Sequence, residues 1–193
     1  MTRVKQKRAL ETRATLLATA TALVEQHGYH ALRVEQVVAD AGVAKGTFFK
    51  HFGDKDGLMQ VLIADQLSGE LGRLAELTPE PVSPAEFVEA LSSLHDMMTR
   101  ERYVFDIVIR YSGAAAVDTI GPLAVVFGKY LDVVGQWVVA GQVRPDLTPT
   151  LVAEGVQAFA VQAMALEYCA LHTSMGRNAR LTEYLTAWLK PGQ

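Results

Sequence analysis

The stretch AGVAKGTFFKHFGDKDGL, Ala41 to Leu58, decides how this chain is read. Gly42 breaks a short helical pattern over 34–41, and glycine permits the positive φ that a tight turn between helices needs. A second short helix is expected over 45–51. Val37, Val38, Val43, Phe48 and Phe52 are the apolar residues that would hold the pair against the helix before it. Lys45, Thr47, Phe49, Lys50 and His51 then stay on the outward face, donors and one ring at helical spacing. So short a helix is marginal in isolation and must be held by packing. A rigidly held helix with exposed donors suits insertion into the major groove of double-stranded DNA.

Working outward, nearly every segment carries apolar residues at period 3.6 and none alternates at period 2. A first helix over 7–27 shows the stripe Leu16, Ala20 and Leu23, with Leu17 and Val24 alongside, and stops at Gly28. A helix over 54–77 follows the quoted stretch. After a Pro-rich break at 78–84, Ser83-Pro84-Ala85-Glu86 reads as a capping box with Pro in the first helical position. Further helices are expected over 84–99, 102–117, 122–141, 149–172 (opened by the cap Thr148-Pro149) and 178–189. The expectation is an all-α chain of about nine helices in two domains. Residues 1–53 form an N-terminal three-helix domain with a helix-turn-helix, and 54–193 a helical ligand-binding and dimerisation domain.

The net charge of the 193-residue chain is −3, but it is unevenly spread. Residues 1–60 hold nine Lys/Arg against six Asp/Glu, and the rest nine against fifteen. A basic first third on an acidic body fits a nucleic-acid contact at one end. Arg3, Lys5, Lys7 and Arg8 read as a basic arm along a DNA backbone or as a tail without fixed contacts. The single cysteine, Cys169, excludes an intramolecular disulfide framework and fits a reducing cytoplasm. No membrane span is expected, because no stretch reaches the ~18–20 uninterrupted apolar residues one requires. The nearest, 151–171, carries Glu154, Gln157, Gln162 and Glu167.

Residues 8–62 strongly resemble the DNA-binding domain of the TetR family. The likeness rests on Gly28-Tyr29 closing the first helix, the Ala41-Gly42-Val43 turn, Gly46-Thr47-Phe48-Phe49 with His51-Phe52, and Asp54-Lys55 with Leu58. The resemblance implies that the third helix lies in the major groove. It places Lys45 and Thr47 near the bases or the adjacent backbone, and Phe49, His51 and Lys55 at phosphate-contacting positions. Four departures stand out. Arg33 replaces the usual Thr before the second helix, losing a capping hydroxyl worth about 1 kcal/mol while adding a cation in reach of a phosphate. Ala44 replaces a frequent capping Ser, Phe49 a usual Tyr, and Val38 a commoner Ala. The DNA-binding candidates are therefore Arg33, Lys45, Thr47, Phe49, Lys50, His51 and Lys55.

The C-terminal body offers less chemistry. The helix over 149–172 is apolar nearly all round, so it must be covered on most faces. The last helix presents Leu181, Tyr184, Leu185 and Trp188 as one stripe. With Leu166 these are read as a homodimer interface, which the resemblance also implies. Two reading helices about 34–36 Å apart would match successive major grooves of a palindromic operator. His95, Arg102, Tyr103, Phe105, Asp106, Tyr111, Phe127, Tyr130, Trp137, Phe159 and Met164 supply the mixture of apolar surface and sparse polar groups found in small-molecule cavities, with Arg110 and Gln157 nearby. Asp106 and Arg110 are read as an i,i+4 ion pair. No catalytic constellation, metal motif or cofactor fingerprint is present in the sequence, so no enzyme, metal or cofactor is expected. The resulting expectation is a cytoplasmic regulator, a repressor released from its operator by a small, mostly apolar ligand. The alternatives are a helical regulator controlled by a protein partner, and a binding protein that has lost DNA affinity.

Overall fold

A computed structural model of the chain describes residues 2–77, 83–112, 120–141, 143–168 and 174–189. Among the described residues there are nine helices and no strand. They are α1 (Thr2–His27), α2 (Val34–Asp40), α3 (Lys45–Phe52), α4 (Lys55–Glu76), α5 (Pro84–Thr99), α6 (Arg102–Tyr111), α7 (Pro122–Ala140), α8 (Pro149–Glu167) and α9 (Arg177–Trp188). The chain divides into two compact units, Met1–Ala64 and Asp65–Gln193. The division falls inside α4, where the sequence set it just before that helix.

The expected helix starts and stops are present wherever a cap or a glycine marks them. Gly28 and Gly42 adopt positive φ at 82° and 66° and end their segments. Ser83 Oγ accepts from the Glu86 backbone N–H at 3.3 Å, and the Ser83 N–H donates to the Glu86 carboxylate at 2.8 Å, closing the capping box of α5. Thr148 Oγ1 accepts from the Leu151 N–H at the start of α8. One end differs from expectation: α1 begins at Thr2, not near Lys7. No Gly or Pro lies ahead of Gly28 to stop it, so residues 3 and 5 belong to a helix and not to a loose arm. The expected far ends of the sixth and eighth helices, and Cys169, lie outside the described residues.

In the first unit, Leu16 and Ala20 of α1 are fully buried, as are Val37 of α2 and Phe48 of α3. Full burial of one such side chain contributes about 1.5–3 kcal/mol, which is what holds two helices too short to persist alone.

In the second unit, α8 packs against α7 and α9, and α5 against α9. Gly155 makes the α8–α9 contact possible, since a Cβ there would lie 2.1 Å from Cη2 of Trp188. The indole fills that space, and Phe159 stacks beside it, 5.4 Å from the Trp188 ring and 5.4 Å from that of Tyr184. Arg177, almost wholly buried, ties α9 to α5 by donating to Asp96 Oδ1 at 2.5 Å and Thr99 Oγ1 at 2.8 Å.

Helix α7 corrects the reading of membrane potential. It is long and apolar enough, by length and composition, to cross a membrane, with Lys129 and Asp132 its only charges. The sequence had singled out 151–171 as the nearest approach. In the fold α7 lays one face on α8 and buries Leu123, Val126, Val134 and Trp137, as a core helix does.

Candidate nucleic-acid interface and effector core

Three i,i+4 rows compose the free surface of α3. Lys45 and Phe49 form one, Gly46 and Lys50 the next, and Thr47 and His51 the third. The fourth row, Phe48 and Phe52, faces inward with ring centroids 5.3 Å apart. Lys45, Phe49 and Lys50 are exposed, while Thr47, His51 and Lys55 are half-buried. Phe49 stands edge-on to Phe48, 5.5 Å between centroids, so its exposed ring is oriented by a buried one. Arg33 is exposed at the start of α2 and makes no side-chain cap, nor does Ala44 at the start of α3. The two lost caps read from the sequence are therefore real losses at these helix starts.

Two residues that position this face were missed in the sequence. Arg13 of α1 donates through Nη1 to the backbone carbonyl of His51 at 3.0 Å and sits 4.6 Å over the Phe52 ring. It thereby satisfies an orphan carbonyl in the last turn of α3. The signal was available, because Arg13 precedes Leu16, Ala20 and Val24 on one stripe of α1. Glu35 of α2 is the second: its Oε1 accepts from Lys45 Nζ at 2.6 Å. No spacing rule joins residues across a turn, so nothing local to either segment points to this contact.

The turn out of α3 is equally constrained. Gly53 has φ 76°, and Asp54 Oδ1 accepts from the Gly57 N–H at 2.7 Å. A Cβ on Gly57 would lie 1.9 Å from the Phe52 carbonyl oxygen, so only glycine allows α4 to start this close to the end of α3.

In the second unit the expected pocket residues divide. His95, Phe105, Phe127, Tyr130, Trp137 and Met164 are buried. Tyr103 and Tyr111 are half-buried. Arg102 and Asp106 are exposed and pair with each other at 3.0 Å. They belong to the surface of α6, where the arginine also covers the Tyr168 ring at 5.2 Å. Asp106 thus takes Arg102, one turn before it, as an ion-pair partner. Phe159 lies with Tyr184 and Trp188 between α8 and α9 and does not join the middle helices.

A narrow slit does exist among the middle helices, lined by Leu67, Leu71, Leu94, Met98, Val126, Phe127 and Tyr130. Its volume is about 10 Å³, room for at most about one water. Only Phe127 and Tyr130 were expected there; the remaining walls are aliphatic side chains that sequence reading assigns to plain core. Tyr130 is buried and its hydroxyl has no hydrogen-bond partner, and the same holds for both ring nitrogens of buried His95. Burial raises the Tyr130 pKa. Burial, and then the nearby Arg177 charge, push His95 down to about 3, so its ring is neutral at ordinary pH.

The expected dimer residues also divide. Leu181 and Leu185 are fully buried within the single chain, so a second copy cannot cover them. The stripe on α9 faces inward, where α5 and α8 already cover it. Leu166, Tyr184 and Trp188 remain half-exposed. Among the described residues no three His, Cys, Asp or Glu side chains cluster in a way that could hold a metal ion.

Residues 16–62 match the family model of bacterial regulatory proteins of the tetR family. The A-factor receptor protein of Streptomyces griseus is 22% identical over 154 residues, 76% of this chain and 50% of that protein. The HTH-type transcriptional regulator UidR of Escherichia coli is 24% identical over 98 residues, 51% of this chain and 48% of that protein. The chain thus spans about half the length of these curated relatives. Among solved structures, the TetR-family repressor FadR of Thermus thermophilus, in complex with lauroyl-CoA, superposes with a TM-score of 0.68. It is 16% identical, and the match covers 94% of this chain and 95% of that one. The chain thus matches the tetR-family model over its helix-turn-helix, residues 16–62, and shares an all-helical fold along nearly its whole length with this solved TetR-family structure.

Proposed function

We propose that the chain is a DNA-binding transcriptional regulator, a repressor that leaves a palindromic operator when a small, mostly apolar ligand enters its second unit. One observation carries the DNA part: α3 is clamped by Phe48, Phe52 and Arg13 while presenting Lys45, Phe49 and Lys50 to solvent. Arg33, Thr47, His51 and Lys55 flank that face and complete the proposed contact set. A helix held so rigidly loses little entropy on entering a groove. The protein acts in the cytoplasm as a homodimer. Leu166, Tyr184 and Trp188, with exposed Leu151, supply apolar surface on α8 and α9 for a second copy.

The slit supports the ligand part. Its walls are apolar, and the unpartnered Tyr130 hydroxyl gives an incoming molecule one polar handle. A ligand widens the slit by parting its aliphatic walls and rewards the change with that hydrogen bond. FadR of Thermus thermophilus holds lauroyl-CoA, an apolar chain on a polar head, within a similar fold. Shifting the equilibrium from mostly bound to mostly released takes about 5.5 kcal/mol of differential affinity.

The test is selection of duplexes from a random pool, followed by titration with salt and with lauroyl-CoA. Enrichment of a palindrome with salt-sensitive affinity is expected, together with loss of binding by a Lys45→Glu, Lys55→Glu double variant. An enriched duplex whose affinity ignores salt, or that the double variant binds as well, refutes the reading. The near-closure of the slit favours a second reading, in which a protein partner replaces the small ligand. Release by cell extract that survives removal of small molecules would support that one.

A further inference from the structure

The reading face carries an acid that the DNA-binding account leaves unused. Glu35 of α2 and Lys45 of α3 are both largely exposed, yet their side chains meet at 2.6 Å across the turn. Lys45 Nζ also lies 6.0 Å from the Phe49 ring centroid, so the cation is held in one place over the helix surface. An exposed pair of this kind contributes little to stability. Its position matters more, since it occupies one of the cations that would meet DNA. The Lys45 hydrogen bond, first among several contributions, holds the Glu35 carboxyl below its ordinary range, so it stays ionised at neutral pH.

We infer that Glu35 is a specificity-determining residue of the reading face, because it keeps Lys45 bound within the protein unless a base pair offers that cation a better acceptor. The inference rests on the proposed role of α3. A phosphate of arbitrary sequence must displace a carboxylate already in contact and must approach an uncompensated negative charge. Random DNA therefore gains little from Lys45. Guanine presents N7 and O6 side by side in the major groove, and lysine binds that edge well. A site placing guanine opposite Lys45 extracts the cation, while other sites leave it with Glu35. Discrimination arises as much from what the pair refuses as from what it accepts.

The experiment uses the full chain and a short random-sequence duplex, with wild type, Glu35→Gln, Lys45→Gln and the double variant. Glutamine keeps the shape of an exposed side chain, and circular dichroism checks that each variant is folded. Glu35→Gln should bind the random duplex more tightly than wild type at low salt. A freed lysine adds one phosphate contact per reading helix, steepening the salt slope by about 0.9. Between about 50 and 200 mM salt the advantage of Glu35→Gln should then shrink about 3.5-fold for each reading helix engaged. In the Lys45→Gln background the same substitution should leave the slope unchanged. Parallel slopes for Glu35→Gln and wild type overturn the inference, and so does an undiminished effect when Lys45 is absent, which would mean simple loss of a repelling charge. Wild type that binds no duplex at low salt overturns the proposed function and this inference with it.

Discussion

Replacing Arg13 with alanine tests whether α3 is held from behind or merely packed. The guanidinium makes one hydrogen bond, 3.0 Å to the His51 carbonyl, and one ring contact, 4.6 Å over Phe52. A hydrogen bond from a charged donor contributes about 1.5–3 kcal/mol when its loss leaves the partner unsatisfied. A cation over a ring at a partly exposed site adds about 0.5–1 kcal/mol. The expected cost is thus about 2–4 kcal/mol. Urea unfolding followed by circular dichroism should show the midpoint falling with the slope unchanged. Arg13→Lys keeps the cation but loses the planar fork, and should recover about half of the loss. Random-duplex binding should weaken under conditions where the variant is folded, since the last turn of α3 must then be ordered at the moment of binding. An Arg13→Ala protein with wild-type stability and wild-type DNA affinity would refute the reasoning. Water would then satisfy the His51 carbonyl, and Phe48 and Phe52 alone would hold the helix.

Other outcomes follow from single positions. A Cβ on Gly46 meets nothing within 4 Å, so Gly46→Ala should stabilise the free protein by up to about 1 kcal/mol in thermal unfolding. It should weaken DNA binding if the space above Gly46 is where a base or sugar comes closest. Gly155→Ala should expel the Trp188 indole and cost about 3 kcal/mol or more, visible as a red shift in tryptophan fluorescence and a lower midpoint. His95, at about 3 in the fold, binds fewer protons there than in the unfolded chain at acid pH. Its contribution to stability is full above about pH 6.5 and is lost as pH falls, at up to about 1.4 kcal/mol per pH unit. His95→Leu should remove that slope between about pH 4 and 6.5 and raise stability at neutral pH, because a buried ring without partners is replaced by one needing none. An unchanged pH profile would show that His95 reaches water.

The stretch from Ala41 to Leu58 announced its fold because its information is local. Gly42 at φ 66° and the Phe48–Phe52 row depend on neighbours within a few residues, and helix periodicity exposes that directly. The caps at Ser83 and Thr148 were legible for the same reason. What tertiary structure alone decided was which way each stripe faces. Leu181 and Leu185 form an apolar stripe that serves a partner or the chain's own core equally well, and the fold gives it to the core. Phe159 suited a pocket by composition, but Gly155 admits Trp188 beside it and draws it to α9. The Glu35–Lys45 contact and the Arg13 clasp join residues from different helices, whose meeting depends on crossing geometry. Period and capping are properties of one segment, whereas pairing belongs to two segments and exists only once they pack.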